Sequence, residues 1–196
     1  GLGYNECVSY SFIDENSAKL FGGGDASTQL ENPISSEMSH MRPNLFPGLL
    51  QAASRNQARG FFNMALFELG PVFNGGDPGN QQNNLSGVLI GQTASKDVHG
   101  QNRAVDVFDV KCHIENILSL IGAPSKFQIL RGAESHWHPG RHGRICLGPK
   151  KTIGIFGELH PKILSSFDIK GPTVGFTILL DLSLIHISEP TRRIEI

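Results

Sequence analysis

An α+β domain, an antiparallel sheet flanked by helices, is the architecture this sequence predicts. Three observations carry it. Strand-like runs outnumber helical stripes along the 196 residues. Most connections between them are too short for the crossovers that parallel strands require. The 23 glycines and 11 prolines supply frequent turns. Hydrophobic residues at 39% and charged residues at 18% suit one core in a loop-rich globular chain. They exclude a coiled coil, a collagen-like rod and a disordered chain.

Taken in order, residues 7–12 alternate polar with β-branched or aromatic side chains and predict a first strand. Asp14 offers an N-cap oxygen to a short helix through Leu20, which the glycines at 22–24 end. Residues 29–33 are expected to be extended, because Pro33 disfavours the helical region at Asn32. Asn44 reads as the next N-cap, with Pro47 in the first turn, where its missing N–H costs little. Leu45, Leu49, Ala52, Ala53 and Asn56 then recur at helical spacing, and Gly60 is the stop. Residues 64–73 predict a strand with Phe67, Leu69 and Phe73 on one side. Residues 74–84, NGGDPGNQQNN, have no apolar side chain and predict a flexible surface loop before a strand at 85–90. Ile114, Ile117, Leu118 and Ile121 form a helical stripe after residues 108–111, closed by Gly122 and Pro124. Strands are expected at 127–130, 144–147, 152–156 and 174–180, with a short helix from Pro161 to Phe167.

Formal net charge is −1, so no global basic field attracts nucleic acid or anionic membrane. Basic and aromatic residues are not interleaved, which argues against an autonomous RNA-binding module. No apolar run approaches the roughly 20 residues that span a bilayer. Cys7, Cys112 and Cys146, odd in number and widely spaced, fit reduced thiols of the cytosol. A start at Gly1 with no charged or apolar leader reads as a fragment.

The densest set of metal-type ligands is His136, His138 and His142, with Cys146 nearby. Imidazole and thiolate suit zinc, and a metal-dependent hydrolase would use them. Against it, Pro139-Gly140 predicts a turn that breaks strand geometry, and turn histidines commonly bond to backbone. Gly22-Gly23-Gly24 has a helix before it rather than after it, so a helix C-cap explains it better than a phosphate loop. Each cysteine lies in an apolar stretch and reads as a neutral, buried thiol. Asp14/Glu15 and Asp106/Asp109 fall at helix starts, where the macrodipole favours carboxylates. Arg55 and Arg59 read as a solvated helix face. Physical chemistry alone gives this chain no convincing active site.

Several longer stretches carry a resemblance. Residues 31–50, ENPISSEMSHMRPNLFPGLL, resemble the core of the bacterial phenylalanyl-tRNA synthetase β subunit. So do Tyr10-Ser11-Phe12, residues 66–73 (LFELGPVF), Phe108-Asp109-Val110-Lys111, His138-Pro139-Gly140-Arg141 and residues 156–161 (FGELHP), in the family's order. The resemblance covers residues 1–181 and implies a degenerate class II synthetase catalytic-like fold. It also implies that aminoacylation belongs to an α subunit within an α2β2 assembly, with ATP and Mg2+ used by the holoenzyme in the cytoplasm and tRNA(Phe) bound by the full assembly. The strand around Glu68 and Gly70 takes the place of the second class II motif without its ATP-gripping arginine. Residues 154–160 resemble the third motif, with Glu158, Leu159 and His160 where an arginine is wanted. Loss of those guanidiniums removes bidentate phosphate contacts, so no catalytic, cofactor or metal residue is expected here. The residues carried over as interface or structural are Arg42, Pro47, Leu49, Leu50, Ala52, Ala53, Glu68, Gly70, His138, Arg141, Gly157 and Glu158. Cys112 stands where the family pattern leads one to expect glycine. Finally, residues 182–192 look like the translation of a sequencing adapter, so 182–196 are expected to be a non-native tail.

Overall fold

The computed structural model describes residues 2–93, 103–132, 134–149 and 151–184. In chain order the elements are β1 (Asn5–Glu6), β2 (Phe12–Ile13), α1 (Glu15–Leu20), β3 (His40–Met41), α2 (Phe46–Ala58), β4 (Met64–Phe73) and β5 (Gln81–Ile90). There follow α3 (Val107–Leu120), β6 (Gln128–Leu130), β7 (Trp137–Leu147), β8 (Lys151–Leu159), α4 (Pro161–Ser166), β9 (Thr173–Leu179) and α5 (Leu180–Leu184). Seven strands form one sheet in the order β1-β4-β5-β9-β8-β7-β6, and β2 pairs with β3 separately. Every pairing is antiparallel except β1 with β4.

Local chemistry starts α1 and α3 as expected, whereas the N-cap position of α2 is Leu45 rather than Asn44 and carries no side-chain cap bond. The Asp14 carboxylate accepts from Ser17 N–H at 2.9 Å and opens α1. Asn44 Oδ1 accepts from Phe46 N–H at 3.0 Å at the start of α2, and Gly60, at φ 90°, ends it. Asp106 and Asp109 form a reciprocal capping box at the start of α3.

The sheet buries both faces, because alternate residues of one strand point to opposite sides. On one face α2 sets Leu49, Leu50 and Ala53 against Leu66, Val88, Ile90, Trp137 and Leu159. On the other, α3 sets Val110, Ile114 and Leu118 against Ile145, Ile153, Val174, Phe176 and Ile178. Removing a leucine such as Leu49 from water contributes roughly 1.5–3 kcal/mol. Close approach needs small residues in the sheet: a Cβ on Gly154 would sit 2.8 Å from Ile114 Cδ1.

Five further expectations need correction. Residues 7–12 are not one strand. Only Asn5–Glu6 and Phe12–Ile13 are strand, because Ser9 between them turns inward to bond a buried carboxylate. The loop at 74–84 is shorter, since Gln81, Gln82, Asn83 and Asn84 pair with β4, from Phe73 to Gly70. Their polar side chains conceal a backbone ladder that needs only N–H and C=O groups. Pro139-Gly140 does not break β7. It lies in a register shift between Trp137 and His142, where a proline without a donor is tolerated. The last strand stops at Leu179, and the chain turns into α5, whose Asp181 carboxylate accepts from Asn83 N–H at 2.7 Å. Cys112 is exposed rather than buried. In β4 the predicted side carrying Phe67 and Leu69 exists, but Leu69 is exposed while Leu66, Glu68 and Val72 are buried. Residues 185–196 of the predicted tail lie outside the described residues. Among the described residues, no helix is long and apolar enough to cross a membrane.

Candidate functional site

Among the places where the described residues gather polar or exposed apolar groups, four hold residues singled out from the sequence or form a cavity. The first is a sealed ion pair between β4 and the segment leading into α2. Arg42 is 3% exposed and Glu68 2%, with Arg42 Nη1 2.6 Å from Glu68 Oε1. The guanidinium also donates from Nε to the Pro71 carbonyl at 2.9 Å and from Nη1 to Ser9 Oγ at 3.0 Å. Ser9 donates to the Glu68 carboxylate from its backbone N–H at 3.1 Å and from its hydroxyl at 2.8 Å. Two neighbouring glycines leave room for this knot. A Cβ on Gly70 would stand 2.6 Å from Arg42 Nη2, and one on Gly48 would lie on top of Ser9 Oγ. Pro47 occupies the first turn of α2, and Leu49, Leu50 and Ala53 are fully buried beneath it, with Ala52 half-buried. These candidates are therefore spent inside the chain.

The second place lies on the surface of β7 and β8. Arg141 Nη1 is 3.1 Å from Glu158 Oε2, with side-chain exposures of 59% and 26%. His138 accepts from Gly140 N–H at 3.2 Å and lies 3.2 Å from Arg141 Nη2. His142 Nδ1 sits 2.7 Å from the His138 carbonyl, and its Nε2 accepts from Gly132 N–H. Gly157 fits beneath His142, since a Cβ there would lie 2.6 Å from the His142 Cβ. His138 and His142 are thus occupied by backbone, and no group of three His, Cys, Asp or Glu able to hold a metal occurs among the described residues.

The third is a cavity of about 300 Å³ over β5, β8 and β9, walled by residues 21–22, 43–44 and 134–137. His136 lines it, stacked among Phe21, Phe46 and Trp137 at 5.0–6.0 Å between ring centroids. Burial pushes its pKa down to about 4, so the ring is neutral at pH 7. Among the described residues, no Lys or Arg lines this cavity. Its residues do not fit the triphosphate that ATP would bring, which demands cationic or N-terminal backbone partners.

The fourth is an open recess of about 750 Å³ bordered by Val8, Tyr10, Phe12 and Met38. Val8 and Tyr10 are 91% and 73% exposed.

Comparison with known proteins decides the family. Residues 1–180 match the sequence model of the phenylalanyl tRNA synthetase beta chain CLM domain. The chain belongs to this family. It is 65% identical over 177 residues to the phenylalanine–tRNA ligase beta subunit of Ruegeria pomeroyi, covering 90% of this chain and 22% of that protein. It is 57% identical over 192 residues to the same subunit of Cereibacter sphaeroides, covering 97% and 24%. The chain thus spans about a quarter of the length of these relatives. Among solved structures, a pyrrolysyl tRNA synthetase from Desulfitobacterium hafniense superposes with a TM-score of 0.68 at 17% identity, covering 94% of this chain and 61% of that one. That likeness establishes the α+β class II synthetase fold.

Within this β-chain domain, the sequence reading named Arg42, Glu68 and Gly70 separately as interface or structural candidates, the structure brings them together, and the reading missed Ser9, which bonds both charged groups. Its short polar side chain inside an apparent strand was the available signal. The cavity around His136, Trp137 and Asn84 was missed too, because its residues come from seven separate stretches of chain.

Proposed function

We propose that this domain is a non-catalytic structural core of the phenylalanine–tRNA ligase β subunit, holding an α subunit in an α2β2 assembly in the cytoplasm. In this reading ATP, Mg2+ and phenylalanine are handled by the α subunit, and tRNA(Phe) is bound by the whole assembly. One observation carries it: among the described residues the cavity over the sheet has no cationic lining, while the buried Arg42 is neutralised by Glu68. Adenylate formation requires charge stabilisation on a pentavalent phosphorus, and nothing in this cavity supplies it. The exposed side chains of Val8, Tyr10 and Phe12, in a recess shared with Asp14, Glu37 and Arg55, then serve as the docking surface, since exposed apolar groups rimmed by polar ones mark protein interfaces. Leu49 and Leu50 support that surface from within rather than touching the partner.

Two measurements test the reading. The purified chain is expected to give no ATP–pyrophosphate exchange with phenylalanine; exchange above background overturns it. Val8→Asp with Tyr10→Asp is expected to abolish co-purification with a matching α subunit while leaving the melting temperature unchanged. Undiminished assembly would refute the docking surface. The same reading leaves residues 182–196 outside the natural domain, on the adapter-like sequence of 182–192.

A further inference from the structure

Four buried side-chain polar atoms lack a hydrogen-bond partner among the described residues: Asn84 Oδ1, His136 Nε2, Trp137 Nε1 and Arg144 Nε. Buried polar groups are nearly always paired, and each orphan costs about 1–3 kcal/mol. These four are not scattered. Asn84, His136 and Trp137 line the 300 Å³ cavity, and Arg144 lines an adjoining recess that shares Glu134, Ile155 and Leu179 with it. Three of the four in one cavity mark a place where another molecule completes the bonding.

The lining selects the chemistry. Asn74, Gln82 and Asn84 line it with carboxamides, each able to offer a donor and an acceptor side by side, and the Asn84 Oδ1 is buried with no partner among the described residues. Such edges pair two-point with an amide or a nucleobase edge. Phe21, His136 and Trp137 provide an aromatic wall suited to a planar ring. Among the described residues no Lys or Arg lines the cavity while the Glu134 carboxylate does, so a phosphate or carboxylate would enter unpaired. The volume equals about ten waters at liquid density, enough for one ring system. We propose that this cavity binds a small, uncharged, planar molecule with an amide-type hydrogen-bonding edge, of the nucleoside or aromatic-amide class. The site does not depend on the docking role above, since its residues are distinct from Val8, Tyr10 and Phe12.

Trp137 is the single tryptophan of the sequence, so its indole N–H gives one resolvable cross-peak in a ¹⁵N-correlated NMR spectrum. The 196-residue chain is titrated with adenosine, cytidine, uridine and nicotinamide, with phenol as a planar control lacking the edge. At least one of the four is expected to displace the indole peak saturably, and phenol is expected to leave it in place. Asn84→Leu is expected to weaken that binding tenfold or more. If Asn84→Leu loses native peak dispersion, the half-exposed Gln82→Met is read instead, with a threefold or larger loss expected. No movement with any probe, an equal response to phenol, or undiminished binding in the variant would overturn the proposal and leave water as the occupant. Tenfold tighter binding of adenosine 5′-monophosphate or of a single-stranded RNA tetramer would also overturn it, in favour of a phosphate-bearing ligand.

Discussion

The same two residue types, arginine and glutamate, meet twice in this domain, in opposite surroundings. Arg42 and Glu68 are sealed at 4% and 3% side-chain exposure and 2.6 Å apart, with Ser9 and the Pro71 carbonyl filling the remaining bonds. Arg141 and Glu158 face solvent at 3.1 Å. The first pair has lost its hydration and is held by complete bonding. The second keeps most of its water and gains little from contact. Sequence alone ranks the two alike; environment separates a structural rivet from an adjustable surface contact.

Breaking the sealed pair gives the largest effect. Glu68→Ala leaves the Arg42 charge buried and unpaired, and is expected to cost about 3–5 kcal/mol in denaturant unfolding. The double variant Arg42→Met with Glu68→Leu sharpens the point by recovering most of that loss, because it removes both desolvated charges. If the double variant is as unstable as the single one, Ser9 and Pro71 rather than the charge dominate the knot.

His136 supplies the next contrast: a titratable group whose Nε2 lies 3.5 Å from the Glu134 carboxylate, yet which burial pushes toward its neutral form. Its pKa falls from 6.5 to about 4 on folding because burial disfavours the imidazolium. Between those values the unfolded chain binds the extra proton. Its contribution is therefore complete above pH 6.5 and lost as pH falls toward 4, by about 3 kcal/mol in total. His136→Phe is expected to flatten the stability curve between pH 6.5 and 4, measured by urea midpoints. An unchanged slope would mean another group governs the acid limb.

Gly70→Ala tests the geometry around the sealed guanidinium. The new methyl would meet Arg42 Nη2 at 2.6 Å, and a loss of about 1–3 kcal/mol is expected. The smallest effect belongs to the exposed pair. Arg141→Ala is expected to change stability by less than about 1 kcal/mol, a difference that shrinks further in 1 M salt. A loss comparable to that of Glu68→Ala would erase the distinction between the two pairs.

Elements with local signals were legible in the sequence. The Asp14 cap, the Asp106/Asp109 box and the ten residues of β4 need only neighbours within a turn or an alternation pattern. The errors fell where a distant partner overrides local preference. Ser9 is pulled out of a strand by Glu68, 59 positions away, and Gln81, Gln82, Asn83 and Asn84 become strand only because β4 lies opposite. The candidate residues divide the same way. Arg42, Glu68 and Gly70 belong together, yet nothing in their spacing reveals that the arginine bonds a glutamate 26 positions on. The cavity is invisible to any single motif, since His136 and Trp137 meet Asn84 only through β9 and β8 between them.

The strand order also governs when this domain can fold. β9, the last strand made, lies fourth of seven and is the sole link between β1-β4-β5 and β8-β7-β6. As a ribosome extends the chain, each half can form its own hairpin, but β5 and β8 keep open edges until residues 173–179 emerge. Closure then joins strands about 90 residues apart in sequence, such as Ser86 with Thr177, a loop that is slow to close. Until that moment the nascent chain carries two aggregation-prone strand edges, which a chaperone would have to shield.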